Sequence, residues 1–156
     1  MFAIEDINGM KVTVMGLGLN GGGLASAIFF ARHGADVTVT DMKDANFLRA
    51  SLDSLKEFPD IKIVLGRHEI SDFENADMVI KNPGVKREGN IFLAAAKKIE
   101  TDISIFLQLT NAPIIAVTGS KGKSSTVSAL HYGFKALGFE SFLGGNITVS
   151  PLTFWD

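Results

Sequence analysis

The feature that most constrains this chain is a β-branched run, MKVTVM at residues 10–15, that feeds directly into a glycine-rich turn at residues 16–23. Beyond the turn, Leu24, Ala27, Ile28 and Ala31 recur at i, i+3, i+4 and i+7, the spacing of one buried helical stripe. Gly34 follows where a helix-terminating glycine belongs. The alternation then repeats. DVTVT at residues 36–40 reads as a strand ending at Asp41, and Leu48, Leu52 and Leu55 mark a helix stopped by Pro59. Residues 61–65 and 77–81 read as two more strands, the second broken by Asn82, Pro83 and Gly84. Asn90 is placed to cap a helix expected to run to about Lys98, and a weaker apolar segment covers residues 103–109. Strands alternating with helices predict an α/β fold, a parallel sheet with helices on both faces.

At Pro113 the pattern starts again, with a strand expected at residues 113–117, a second glycine-rich loop, and a helix. Val127, Leu130, Phe134 and Leu137 fall on one side of that helix, and Gly138 ends it. The restart predicts a boundary near residues 110–112, dividing the chain into units 1–110 and 111–156. The second unit is too short for an ordinary domain and is expected to be the incomplete start of one.

Composition bounds function more loosely. Hydrophobic residues at 46% and charged residues at 21% are enough to bury a core and remain in solution. A net charge of -2 argues against a phosphate-backbone binder, so no nucleic-acid partner is expected. The absence of cysteine excludes disulfides and thiolate metal sites. The N-terminus lacks a basic segment followed by an apolar one, and no apolar run reaches the length of a membrane span. The expectation is a cytoplasmic globular protein with no membrane association.

Two loops carry chemistry. Gly16, Gly18 and Gly21 form a G-x-G-x-x-G between a strand and a helix, and Asp41 lies 20 residues past Gly21 at the end of the next strand. Such a turn lets backbone amides at a helix N-terminus approach a diphosphate, and an acid at that distance can hold a ribose hydroxyl. The second loop is Thr118, Gly119, Ser120, Lys121, Gly122, Lys123, Ser124 and Ser125. Consecutive amides there can form an anion nest, a lysine can reach the outer phosphates of ATP, and the adjacent hydroxyl can ligate magnesium. It departs from G-x-x-x-x-G-K-[ST] because Val117 stands where the first glycine should be. His33, His68 and His131 show no metal-ligand spacing and read as structural or surface residues.

With both loops placed, the sequence resembles the Mur ligases of peptidoglycan synthesis. Residues 118–125 match that family's ATP loop, T-G-[ST]-x-G-K-[ST]-[ST], including the missing first glycine. Residues 16–21, Asn82-Pro83-Gly84 and Gly144-Gly145-Asn146 correspond in order and spacing to motifs of the type that adds D-glutamate. The resemblance implies a Rossmann-like domain that binds a UDP-sugar, followed by the truncated start of a P-loop ATPase domain. It implies UDP-sugar contacts at Gly18, Leu19, Asn20, Gly21, Asp41, Met42, Asn82, Pro83, Gly84 and Asn146. It implies ATP held by residues 118–125, with Lys123 gripping the phosphates as the catalytic residue and Ser124 on Mg²⁺. The implied substrates are UDP-N-acetylmuramoyl-L-alanine and D-glutamate, joined through an acyl-phosphate.

The sequence departs from the family in places: Asn20 and Asn82 stand where Thr or Ser and Ser are usual, Lys121 replaces a common Asn, and Gly22 and Gly23 lengthen the glycine run. The family's magnesium-binding glutamate, its histidine and its modified lysine have no counterpart before Asp156, so this chain is expected to bind UDP-sugar without turnover. The full-length enzyme is expected to be monomeric, and the exposed second unit to favour self-association. Two other readings remain beside this one within the α/β class: an L-alanine-adding Mur ligase, and an NAD-binding sensor or dehydrogenase domain. A third is a non-catalytic interaction module with a relict nucleotide site.

Overall fold

The computed structural model describes residues 2–19, 21–145 and 149–155. Five strands form one sheet: β1 (Lys11–Met15), β2 (Asp36–Asp41), β3 (Lys62–Leu65), β4 (Met78–Lys81) and β5 (Ile99–Glu100). Every pairing is parallel and the order is β3-β2-β1-β4-β5. The chain therefore runs outward from β1 to one edge and returns to the other side at β4. This leaves a topological switch point between β1 and β4, where ligands of open α/β sheets bind at the carboxyl ends of the strands.

The helices are α1 (Gly22–Arg32), α2 (Arg49–Leu55), α3 (Ile70–Glu74), α4 (Ile91–Ala94), α5 (Asp102–Leu109) and α6 (Lys123–Ala136). Alternation along the strands divides the sheet's side chains between two faces. Val12, Val14, Val37, Val39, Met78 and Ile80 share a core with Ala27 and Phe30 of α1, Leu55 of α2 and Ile105 of α5. Met15 and Val79 belong to the opposite core with Phe73 of α3 and Leu93 of α4. Burying each such side chain contributes about 1.5–3 kcal/mol, so the apolar alternation of the strands is what requires helices on both faces. A 3-10 turn at Pro151–Phe154 returns the chain to the first of these cores, where Leu152 is buried and Trp155 packs against the cluster.

Two expectations are corrected. The helix capped by Asn90 ends at Ala94 instead of continuing to about Lys98. Residues 99–100 instead add a parallel strand to β4, beginning where the Val79 N–H donates to the Lys98 carbonyl at 2.8 Å. Pairing with the open edge of β4 satisfies backbone groups that a longer helix would have used within itself. The strand expected at residues 113–117 does not form, and Ile114 and Ile115 are exposed. A strand needs a neighbour to take its backbone hydrogen bonds, and among the described residues none lies alongside this segment. The helix after it forms as expected, but no residue of α6 is buried, so its stripe of Val127, Leu130, Phe134 and Leu137 lacks a covering layer.

Candidate functional site

The site is built at the switch point from three loops that hydrogen bonds join into one rim. After β1 the backbone takes positive φ at Gly16 (90°), Gly18 (60°) and Gly21 (87°), conformations that side-chain-bearing residues rarely adopt. Gly21 is the residue that precedes α1, and the first helical bond runs from the Ala25 N–H to the Gly21 carbonyl at 2.7 Å. The amides of Gly22, Gly23 and Leu24 therefore have no partner within the helix and carry its positive end toward the loop. Gly23, outside the G-x-G-x-x-G spacing, is the position where helix and loop meet most closely. A methyl group there would lie 2.1 Å from the Gly16 oxygen and 2.6 Å from the Leu17 oxygen.

Asp41, at the end of β2, is 8% exposed. Its carboxylate accepts the Gly18 N–H at 3.1 Å through Oδ2 and the Lys43 N–H at 2.9 Å through Oδ1. Ser51 of α2 donates to the Gly18 carbonyl at 2.8 Å, so both backbone groups of Gly18 are held from outside the loop. Asn82 follows β4 and connects the remaining pair of loops. Its Nδ2 donates to the Gly16 carbonyl at 3.2 Å, and its Oδ1 accepts the Gly84 N–H at 3.1 Å. An amide has the donor and the acceptor needed for this bridge. Lys81 donates to the carbonyls of Asn82 and Val85, at 3.1 and 2.8 Å, which holds the same turn from beneath.

Beside the rim lies a cleft of about 430 Å³ whose lining includes Met42, His68, Val85, Asn90 and Phe92. Met42 and Leu19 are exposed, at 61% and 53%, and Pro83 and Gly84 face solvent. Asn90 caps α4 through its Oδ1, which accepts the N–H groups of Phe92 and Leu93 at 3.1 Å each. His68 packs edge-on against Phe73 and Phe92, with ring centroids 5.9 and 5.1 Å away. Its Nδ1 hydrogen-bonds the Thr40 hydroxyl at 2.7 Å, and that hydroxyl also lies 3.1 Å from the Arg67 carbonyl. Burial pushes the His68 pKa below its ordinary value, against a smaller upward pull from Asp41.

The predicted residues Gly18, Leu19, Gly21, Asp41, Met42, Asn82, Pro83 and Gly84 all fall on this rim or at its cleft, whereas Asn20 and Asn146 lie outside the described residues. The sequence does not point to Ser51 as a support of the rim or to His68 as part of the cleft lining. A single serine in a helix carries no pattern, and only the folded chain brings His68 to the cleft.

The second loop stands apart. Gly122 has a left-handed φ of 79° and precedes α6, and Lys123 folds back so that its ammonium donates to the Gly119 carbonyl. Ser120, Lys121, Ser124 and Ser125 are exposed. The loop thus has a helix N-terminus, a lysine over its mouth and free hydroxyls, the parts of a phosphate cradle. Among the described residues no side-chain hydrogen bond joins residues 118–125 to the rim at the sheet.

A five-stranded parallel sheet in this order, with a glycine turn opening α1 and an acid closing β2, defines a doubly wound α/β domain of the Rossmann type. Comparison with known proteins gives the particular family. The family model described as Mur ligase MurD-like, N-terminal domain, matches residues 10–104, and the chain belongs to that family. It is 57% identical over 152 residues to the UDP-N-acetylmuramoylalanine–D-glutamate ligase of Treponema pallidum (strain Nichols), covering 95% of this chain and 29% of that protein. It is 50% identical over 154 residues to the ligase of the same name from Borreliella burgdorferi (strain ZS7), covering 98% of this chain and 34% of that protein. The chain thus spans about a third of the length of these curated relatives. Among solved structures, a pseudomurein peptide ligase type C from Methanothermus fervidus matches with a TM-score of 0.50 and 26% identity, over 83% of this chain and 26% of that one.

Proposed function

We propose that this chain is the N-terminal part of an ATP-dependent ligase that adds D-glutamate to UDP-N-acetylmuramoyl-L-alanine. In this reading residues 1–110 hold the UDP-sugar and residues 111–156 begin the ATP-binding unit. The observation that carries the proposal is the hydrogen-bonded rim of Gly16–Gly18, Asp41 and Asn82–Gly84 at the switch point, in a chain whose relatives bear that ligase name. The amides at the start of α1 suit a diphosphate, and the adjoining apolar cleft suits a base.

In the ligase reaction the L-alanine carboxylate attacks the γ-phosphorus of ATP, and ADP leaves. The D-glutamate amine then attacks the acyl carbon, and phosphate leaves. The part this chain contributes is charge neutralisation at the phosphates by Lys123 and the α6 amides, with Thr118 and Ser125 as further hydroxyl donors. The donor set at α6 fits magnesium only as one ligand, the exposed Ser124 hydroxyl, with phosphate oxygens and water completing the shell. When bound, the ion would screen the transferred phosphoryl group.

The dinucleotide alternative accounts for the first glycine loop and Asp41 but leaves the loop at residues 118–125 unused. Calorimetric titration of the chain with UDP, UDP-N-acetylmuramoyl-L-alanine and NAD tests the proposal. Binding of the two uridine ligands and not NAD is expected; NAD binding without uridine binding would reverse it.

A further inference from the structure

We infer that Asp102 is a specificity-determining residue of the diphosphate site. Its charge, set against the start of α1, favours a diphosphate closed by a sugar over one that ends in a free phosphate. The inference rests on the UDP-sugar reading above and adds to it a residue that discriminates by charge.

Asp102 is the first residue of α5 and is only 7% exposed. Its carboxylate lies against the start of α1, where a methyl group placed on Gly22 would be 3.3 Å from Oδ2 and 4.0 Å from Oδ1. Oδ1 is buried and has no hydrogen-bond partner among the described residues. Glu100, two positions earlier, differs in both respects. It accepts the Ser104 hydroxyl at 2.6 Å and pairs with Lys98 at 3.3 Å. No basic side chain pairs with Asp102 among the described residues. A buried carboxylate oxygen left without a donor is costly. Part of that cost is offset locally, because Asp102 stands in the first turn of α5 and beside the first turn of α1, and both helix ends are positive.

Asp102 is therefore a second claimant on the α1 N-terminus. The amides of Gly22, Gly23 and Leu24 that suit a diphosphate are the same groups whose field offsets the Asp102 charge. Each further negative charge that a ligand brings to this end is opposed by the carboxylate. A phosphate monoester carries about −1.5 to −2 charges near pH 7, and closing it with a sugar removes the second ionisation. UDP thus brings almost one charge more than a UDP-sugar, and the opposition falls hardest on the free nucleotide. Because Oδ1 is enclosed, the acid acts through its field and not as a hydrogen-bond acceptor for the sugar.

The test is calorimetric binding of UDP, UDP β-methyl ester and UDP-N-acetylmuramoyl-L-alanine to the chain and to two variants. The methyl ester has the diphosphate charge of the sugar conjugate without the sugar. At about pH 7.5 the wild type should bind the ester about fivefold more tightly than UDP. Asp102→Asn removes the charge at the same size, and should tighten UDP about fivefold more than it tightens either capped ligand. Asp102→Glu keeps the charge and should keep the preference. Equal binding of UDP and its methyl ester to the wild type overturns the inference, whether or not the variants fold. So does a preference in Asp102→Asn equal to that of the wild type, and so does a loss in that variant confined to the sugar conjugate. All three outcomes leave the UDP-sugar reading standing. A wild type that binds none of the three uridine ligands removes that reading, and the inference with it.

Discussion

Replacing Gly23 with alanine should destabilise the protein more than any other single methyl addition to the glycine loop. The added Cβ would lie 2.1 Å from the Gly16 oxygen, 2.6 Å from the Leu17 oxygen and 2.9 Å from the Leu17 Cα. A carbon–oxygen contact is comfortable at about 3.3 Å, so helix and loop would have to separate by roughly 1.2 Å. All three neighbours are backbone, and no rotamer change relieves the clash. Overpacking of this kind costs about 3 kcal/mol, against a gain of about 1 kcal/mol for alanine over glycine inside a helix. The net loss of about 2 kcal/mol corresponds to about 4–8 °C in the unfolding midpoint of a chain this long. Gly22→Ala is the internal control. Its methyl would meet only the side-chain Oδ2 of Asp102, at 3.3 Å, which can move aside, and the change should stay within about 0.5 kcal/mol. Urea unfolding followed by far-ultraviolet circular dichroism measures both variants. If Gly23→Ala unfolds at the same urea concentration as Gly22→Ala, the close approach of α1 to the loop is not what the geometry says.

Three further expectations can be checked on the same protein. Asn82→Ala removes the bridge between the Gly16 carbonyl and the Gly84 amide, and should cost about 1–3 kcal/mol by urea unfolding and weaken UDP binding in calorimetry. Asn90→Ala leaves the Phe92 and Leu93 amides without their cap and should cost about 1 kcal/mol, read as a lower urea midpoint at unchanged slope. The folded His68 resists protonation, so below the ordinary value of 6.5 the unfolded chain takes up its proton first. Stability should therefore fall as pH drops from 6.5 through the lower folded value and hold steady above it. Urea midpoints measured between about pH 5 and 8 should show this slope in the wild type and a flatter one in His68→Phe.

The parts of the fold legible in the sequence are those that local patterns dictate. The β-branched runs and the i, i+3, i+4 stripes gave four of the strands, the helix after each loop, and the Asn90 cap. What was not legible depends on partners distant in the chain. Residues 99–100 become a strand only because β4 has an open edge, and residues 113–117 fail to become one for want of a neighbour. The site divides in the same way. Glycine spacing and the acid after β2 are local patterns, and they located the rim. The roles of Ser51, which reaches the Gly18 carbonyl, and of His68, held by Thr40, arise from contacts between separate elements. The two amides that Asp41 accepts, from Gly18 and Lys43, were likewise not legible, because they come from the folded loops.

The return of residues 150–155 to the core has a mechanical consequence. Leu109 before the excursion and Leu152 after it pack into the same apolar cluster, so the chain that leaves the sheet after α5 is moored again at its return. Closing a long loop costs little more than closing a short one, about 0.6 kcal/mol for each doubling of length, and so an excursion of this size is inexpensive to keep shut. A protease that nicked the excursion near the exposed residues 113–116 would leave two pieces still clasped through Leu152 and Trp155. Such a cut would be seen on a denaturing gel well before the sheet itself gave way.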